Sequence, residues 1–228
     1  MLRRTRKDYF MNTKTKFTIA GVCGILLAIL IVMLKTVDVA PIGPEGTSIG
    51  LSHLNKAANE FFGQHDIWYD ITKIIGYVGS LPVLIFALVG LVQLIKRRSL
   101  LKIDKDLFAF AGLYAAIMGV YALFEYVIIN YRPMIMEGDE HVEASFPSSH
   151  TLLVCGIVGS TIMLLSKYIK NDKLRMVLTI ICLLIIFFTA IGRLLAGVHW
   201  LTDVIGGVIA SGILLAAFTG VRDLIDKN

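Results

Sequence analysis

The chain has 228 residues, 56% of them hydrophobic and only 17% charged, with a formal net charge of +5. That is too apolar for a soluble domain, whose surface must be wetted. Its basic residues are spread over separate segments without an aromatic-interleaved patch, which argues against nucleic acid as a partner and for an integral membrane protein.

Residues 1–16 carry Arg3, Arg4, Arg6, Lys7, Lys14 and Lys16 ahead of a first apolar run, Phe17 to Leu34. A signal peptide also starts with a basic stretch, but this run is longer than a usual cleaved one. The small-residue site Val39-Ala40 is followed by Pro41, so an uncleaved signal anchor is expected. Residues 35–73 then leave the membrane, opening on the turn formers Pro41, Gly43, Pro44 and Gly46. Within them, Leu51 to Trp68 mixes Leu51, Leu54, Phe61, Phe62, Ile67 and Trp68 with Asn55, Lys56, Asn59, Glu60 and Gln64. This amphipathic pattern predicts a short helix lying on the outer leaflet, with His53 and His65 solvated or interfacial.

Five more apolar runs follow: Ile74 to Ile95, Leu107 to Ile129, Thr151 to Ser166, Met176 to Ile191 and Leu201 to Thr219. Each approaches the roughly 20 residues a helix needs to cross about 30 Å of hydrocarbon. The expectation is an all-α, polytopic membrane protein of six transmembrane helices forming a single domain, with its motif-bearing core over 107–219. Lys96, Arg97, Arg98, Lys102 and Lys105 follow the second run, and Lys167, Lys170, Lys173 and Arg175 follow the fourth. These loops and both termini are therefore expected in the cytoplasm. The loop between the third and fourth runs holds Glu137, Asp139, Glu140 and Glu143 against Arg132, and belongs outside. Gly207 and Ser211 in the sixth run have the small-xxx-small spacing of close helix packing. Cys23, Cys155 and Cys182 fall inside apolar runs and suggest neither a disulfide framework nor a zinc site.

Ionisable groups are costly at membrane depth, and their placement here is concentrated. Three segments at the outer ends of spans hold most of them: Tyr131-Arg132-Pro133, Phe146-Pro147-Ser148-Ser149-His150, and Arg193 through His199 to Asp203. His199 and Asp203 are four apart at the predicted start of the sixth span, so they share one helix face, and a carboxylate one turn away holds an imidazole in one tautomer. An aspartate cap beside an interfacial histidine gives the same spacing. Ser148 and Ser149 at the start of the fourth span place hydroxyls and free amides where a helix N-terminus binds anions, and a serine there also serves as an N-cap. Arg132 and Arg193 suit either phosphate binding or snorkelling to lipid phosphate.

Together the segments resemble the tripartite motif of the type 2 phosphatidic acid phosphatase (PAP2) superfamily: Lys-x6-Arg-Pro, Pro-Ser-Gly-His and Ser-Arg-x5-His-x3-Asp. Arg132-Pro133, Pro147-Ser148-Ser149-His150 and Arg193-x5-His199-x3-Asp203 match in order and in internal spacing. Three positions depart from it: Glu125 stands in place of the lysine, Ser149 of the glycine and Gly192 of the serine. The carboxylate of Glu125 does not neutralise phosphate, and it is expected either to pair with an arginine or to contact a cationic headgroup.

The resemblance implies a lipid phosphatase acting on a phosphate monoester or pyrophosphate lipid at the extracytoplasmic face, with undecaprenyl pyrophosphate or phosphatidylglycerol phosphate favoured. His199 is the implied nucleophile, Asp203 its orienter and His150 the general acid. Arg132, Arg193, Ser148 and Ser149 are the implied phosphate ligands, and no metal or other cofactor is required. A lipid phosphotransferase using the same phosphohistidine, and a non-catalytic lipid-binding or transport protein, are the competing readings.

Overall fold

The computed structural model describes residues 12–225, so Arg3, Arg4, Arg6 and Lys7 of the basic tail lie outside the described residues. Seven α-helices follow in order: α1 (Thr13–Thr36), α2 (Ser52–Phe62), α3 (Asp66–Arg97), α4 (Lys105–Tyr126), α5 (Ser149–Tyr168), α6 (Asp172–Leu195) and α7 (Leu201–Ile225). All but α2 are long and apolar enough to span a bilayer, which makes the protein an all-helical, multi-pass membrane protein with six spans.

Some helices start where a side chain satisfies their orphaned amides. Asn12 accepts from the Thr15 amide at 2.8 Å to open α1, and Asn171 accepts from the Leu174 amide at 3.1 Å to open α6. Helix α5 is central, packed against α3, α4, α6 and α7, while α1 lies along α7. Phe110, Leu113, Ile117, Leu152, Ile157, Leu164, Ala210 and Phe218 join α4, α5 and α7 in one core cluster. Lipid is as apolar as these side chains, so their contribution comes from close packing rather than from escape from water. Gly207 lies against the Ser148 carbonyl and Thr151, bringing α7 against the start of α5 as the small-residue spacing suggests. At one end of the bundle Asp106 accepts from Lys167 at 2.5 Å and Arg222 at 2.7 Å, and Lys16 pairs with Asp223 at 2.7 Å.

Two expected boundaries move. The helix predicted from Leu51 to Trp68 breaks at Gly63, whose φ of 71° is unfavourable for residues with a Cβ, so Ile67 and Trp68 belong to the first turn of α3. Its faces are also inverted relative to a soluble amphipathic helix: Asn55 is buried, whereas Leu54 and Phe61 point outward. Asn55 donates to the Gly50 carbonyl at 2.9 Å and to the Thr202 hydroxyl at 3.0 Å, and accepts from the Thr202 amide at 3.2 Å. The inner face of α2 thus meets the start of α7, where Asn55 partners the Thr202 amide and hydroxyl.

The third span ends at Tyr126 rather than Ile129. Beyond it the carbonyls of Ile128 and Ile129 accept from the Lys35 ammonium at 3.0 and 2.9 Å. A cation from α1 thus replaces the helical donors for those carbonyls. The chain then forms a narrow loop in which Arg132 donates its amide to the Glu143 carbonyl at 3.0 Å and Ser145 to that of Asn130 at 2.9 Å.

Candidate active site

All three polar segments lie at the end of the bundle where α4 stops and α5 and α7 begin. The Ser148 amide donates to the Asp203 carbonyl at 2.9 Å, tying the second segment to the third, and the Trp200 indole donates to the Tyr131 carbonyl at 2.7 Å, tying the third to the first. Residues far apart in sequence are thereby held in one place.

His199 is not part of α7, which starts two residues later. Asp203 instead reaches back to accept from the Trp200 amide at 2.9 Å, the reciprocal half of a capping box, and its other oxygen lies 3.5 Å from the Asn130 amide nitrogen. The shared helical face expected for His199 and Asp203 is thus replaced by a turn that leaves Nδ1 of His199 3.7 Å from the carboxylate. Capping and proximity to the histidine are both realised. Burial holds the His199 imidazole well below its ordinary range, and Arg193, Arg132 and His150 push it the same way. The ring is therefore neutral at physiological pH and has a free nitrogen lone pair.

His199 opens onto a recess of about 20 Å³ lined also by Tyr121, Glu125, Arg132, Pro147 and Ser149. Ser148, by contrast, is fully buried and is used as the N-cap of α5, its hydroxyl oxygen 3.0 Å from that of Thr151. Ser149 faces the recess, as does Ser145. Arg132 forms an ion pair with Glu143 at 3.1 Å, not with Glu125. Glu125 is exposed, lies beside Tyr121 and makes no ion pair among the described residues, so of its two expected roles the pairing with an arginine is not made there.

His150, in the first turn of α5, faces a second and larger cavity of about 500 Å³ between α3, α4 and α5, mostly apolar and lined by Tyr69, Lys73, Gly76, Met118 and Val154 among others. It remains near enough to His199 to act on it electrostatically. Arg193 is buried behind both, donating to the Thr72 hydroxyl at 3.4 Å with its guanidinium 5.4 Å from the Tyr69 ring centre. The recess thus gathers Glu125, Arg132, Ser149 and His199, with Asp203 behind, while His150 and Arg193 flank it toward α3.

Sequence reasoning missed four contributors. Glu143 reads as one of a run of acidic loop residues, Asn130 as the residue just past an apolar run, and Tyr69 and Lys73 as the approach to span two. Gly192 reads only as one of three departures from the family pattern, yet a Cβ there would sit 2.4 Å from Thr72 Cγ2 and 3.1 Å from the Trp68 ring. The glycine is what lets α6 approach α3 and carry Arg193 to Thr72 and Tyr69.

A search of curated proteins gives no match. Among solved structures, the chain is similar to the first transmembrane PAP2 type phosphatidylglycerolphosphate phosphatase from Bacillus subtilis, with 17% identity, a TM-score of 0.68, and coverage of 91% of this chain and 97% of the other. At that identity the likeness establishes a shared fold. The PAP2 superfamily pattern matches residues 83–225, from the middle of α3 to the end of α7 and so across all three polar segments. On that match the chain belongs to the PAP2 superfamily.

Proposed function

We propose that the protein is a lipid phosphatase that hydrolyses a phosphate monoester or pyrophosphate lipid through a phosphohistidine on His199, with its site at the extracytoplasmic face and both termini in the cytoplasm. The observation that carries the reading is the setting of His199: buried and neutral, its Nδ1 toward Asp203, and open to a recess shared with Arg132 and Ser149.

With Nδ1 toward the carboxylate, Nε2 is the attacking atom. Its lone pair forms the P–N bond as the bond from phosphorus to the leaving oxygen breaks, and that oxygen takes a proton from His150. Water, deprotonated by His150, then attacks phosphorus, the P–N bond breaks, and phosphate leaves with His199 restored. Asp203 orients the ring and stabilises its positive charge as the bond forms; its 3.7 Å separation is of the kind that tightens when substrate binds. Arg132, Arg193, Ser149 and the amides at the start of α5 neutralise the equatorial oxygens, the main electrostatic requirement of phosphoryl transfer.

The site lies at the ends of spans, and the apolar cavity beside His150 favours a substrate arriving from the leaflet. Phosphatidylglycerol phosphate, the substrate class named for the Bacillus subtilis fold neighbour, and undecaprenyl pyrophosphate are the favoured substrates. The orientation rests on the basic residues in and flanking the connections after α3 and α5: Lys96, Arg97, Arg98, Lys102, Lys167, Lys170 and Lys173.

The test is phosphate release from a panel of lipid phosphates in detergent with a chelator present, using wild-type protein and His199→Ala. The reading expects turnover of at least one lipid that vanadate inhibits and that is lost in His199→Ala with folding intact. Turnover retained in the variant sinks the nucleophile, and no release from any lipid favours a lipid-binding protein.

A further inference from the structure

The cations of the site do not all come from the three polar segments. Helix α3 presents Tyr69, Lys73 and Gly76 on one face at the i, i+4, i+7 spacing, and that face lies against His150: a Cβ on Gly76 would stand 3.3 Å from His150 Cδ2. Lys73 lines the same cavity as His150 and acts on it electrostatically. Its ammonium lies 5.1 Å from the centre of the Tyr69 ring, and the Arg193 guanidinium lies 5.4 Å from the same centre. One aromatic ring thus contacts both cations.

The charge inventory gives Lys73 a purpose. A phosphoryl group about to be transferred carries close to two negative charges, and a pyrophosphate carries more. Arg132 is already partly neutralised by Glu143 at 3.1 Å, and Glu125 adds a carboxylate to the recess. Lys73 makes no ion pair among the described residues, although Asp66, Asp70 and Glu137 line the neighbouring outer cavity with it. It is the exposed cation on the His150 side, the side on which the leaving oxygen is protonated in the proposed mechanism.

We infer that Lys73 is a specificity-determining residue that neutralises the charge of an anionic leaving group, and so selects a pyrophosphate lipid over a phosphate monoester of a neutral lipid. The inference rests on the proposed phosphatase function. In a pyrophosphate lipid, His199 attacks the terminal phosphorus and the bridging P–O bond breaks. The bridging oxygen takes the His150 proton and leaves on the lipid monophosphate, whose remaining charge faces Lys73. In phosphatidic acid the leaving group is neutral diacylglycerol, and the ammonium has nothing comparable to stabilise.

The experiment compares wild type, Lys73→Gln and Lys73→Arg as purified full-length protein in detergent, on farnesyl pyrophosphate and on a short-chain phosphatidic acid, with His199→Ala as control. Lys73 is exposed, so both variants fold, which the melting profile checks. Lys73→Gln is expected to lose about tenfold or more in kcat/KM on the pyrophosphate. The lipid-side phosphate is anionic in the bound substrate as well as in the transition state, so the loss is read as kcat/KM. Phosphatidic acid turnover falls far less, because it shares only the effect of Lys73 on His150, and Lys73→Arg recovers most of the loss. Equal losses on both substrates, no loss, or a wild type that turns over only phosphatidic acid would each overturn the inference. Wild-type release from neither probe nor any lipid of the wider panel removes the phosphatase reading itself, and this inference with it. Turnover lost in His199→Ala but unchanged in Lys73→Gln leaves the phosphatase reading standing and removes the role of Lys73 alone.

Discussion

Restoring a side chain at Gly192 tests whether the approach of α6 to α3 positions the site. In Gly192→Ala the new Cβ would sit 2.4 Å from Thr72 Cγ2 and 3.1 Å from Trp68 Cε3, against roughly 3.5–4.0 Å for an ordinary carbon contact. At least about 1 Å of overlap must be relieved. Rotating Thr72 is not a free escape, because its hydroxyl is engaged by the Trp68 carbonyl at 2.8 Å, the Tyr69 carbonyl at 3.0 Å and Arg193 at 3.4 Å. The helices therefore part, at a cost of about 1–3 kcal/mol typical of overpacking. A displacement of about 1 Å in a positioning group costs up to about a hundredfold in rate. Gly192→Ala is thus expected to lower the apparent melting temperature and to reduce phosphate release by tenfold or more. Adding Thr72→Ser, which deletes Cγ2 but keeps the hydroxyl, should recover much of both losses. A Gly192→Ala protein with wild-type melting and turnover, or a double variant no better than the single, would refute the steric reasoning.

Asn55→Ala leaves the Thr202 amide and hydroxyl without their buried partner, and is expected to cost about 1–3 kcal/mol, seen as a lower melting temperature and faster hydrogen exchange at the start of α7. Wild-type exchange there would show that α2 is not what caps α7. Glu125→Gln removes a carboxylate that makes no ion pair from the phosphate recess, so inhibition by vanadate should strengthen severalfold while melting stays unchanged; the reverse pattern would assign Glu125 to structure. The His199 imidazole titrates well below its ordinary value of 6.5, so below that pH the native protein holds fewer protons than the unfolded chain. Stability is then expected to fall as pH drops through about 6.5, and His199→Gln should show a shallower fall across pH 7 to 5. Parallel profiles for the two proteins would contradict a buried neutral histidine.

The features legible in the sequence are those set by local rules. Six apolar runs give six spans because each helix satisfies its own backbone, and the order and internal spacing of Arg132, His150, Arg193, His199 and Asp203 survive in the arrangement of the end of the bundle. What was not legible depends on which surface a residue meets. Asn55 belongs by pattern to a polar, outward face, but the side of α2 toward the bundle meets the amide and hydroxyl of Thr202 at the start of α7, so the polar group turns inward and Leu54 and Phe61 turn out. Glu143 differs in no sequence property from Glu137 or Glu140, and only the narrow loop pairing Arg132 with residue 143 selects it. Gly192 is the sharpest case. Judged by chemistry alone, serine to glycine next to Arg193 is a small loss of a hydroxyl. Judged by packing, the space a serine Cβ would need at that position is occupied by Thr72 and Trp68. Thr72 in turn holds Arg193, so the substitution at 192 and the threonine on α3 belong to one unit whose members are 120 residues apart in the chain. A departure from a family pattern is therefore read correctly only together with the residue that fills the vacated space, and here that residue lies on α3, outside all three motif segments.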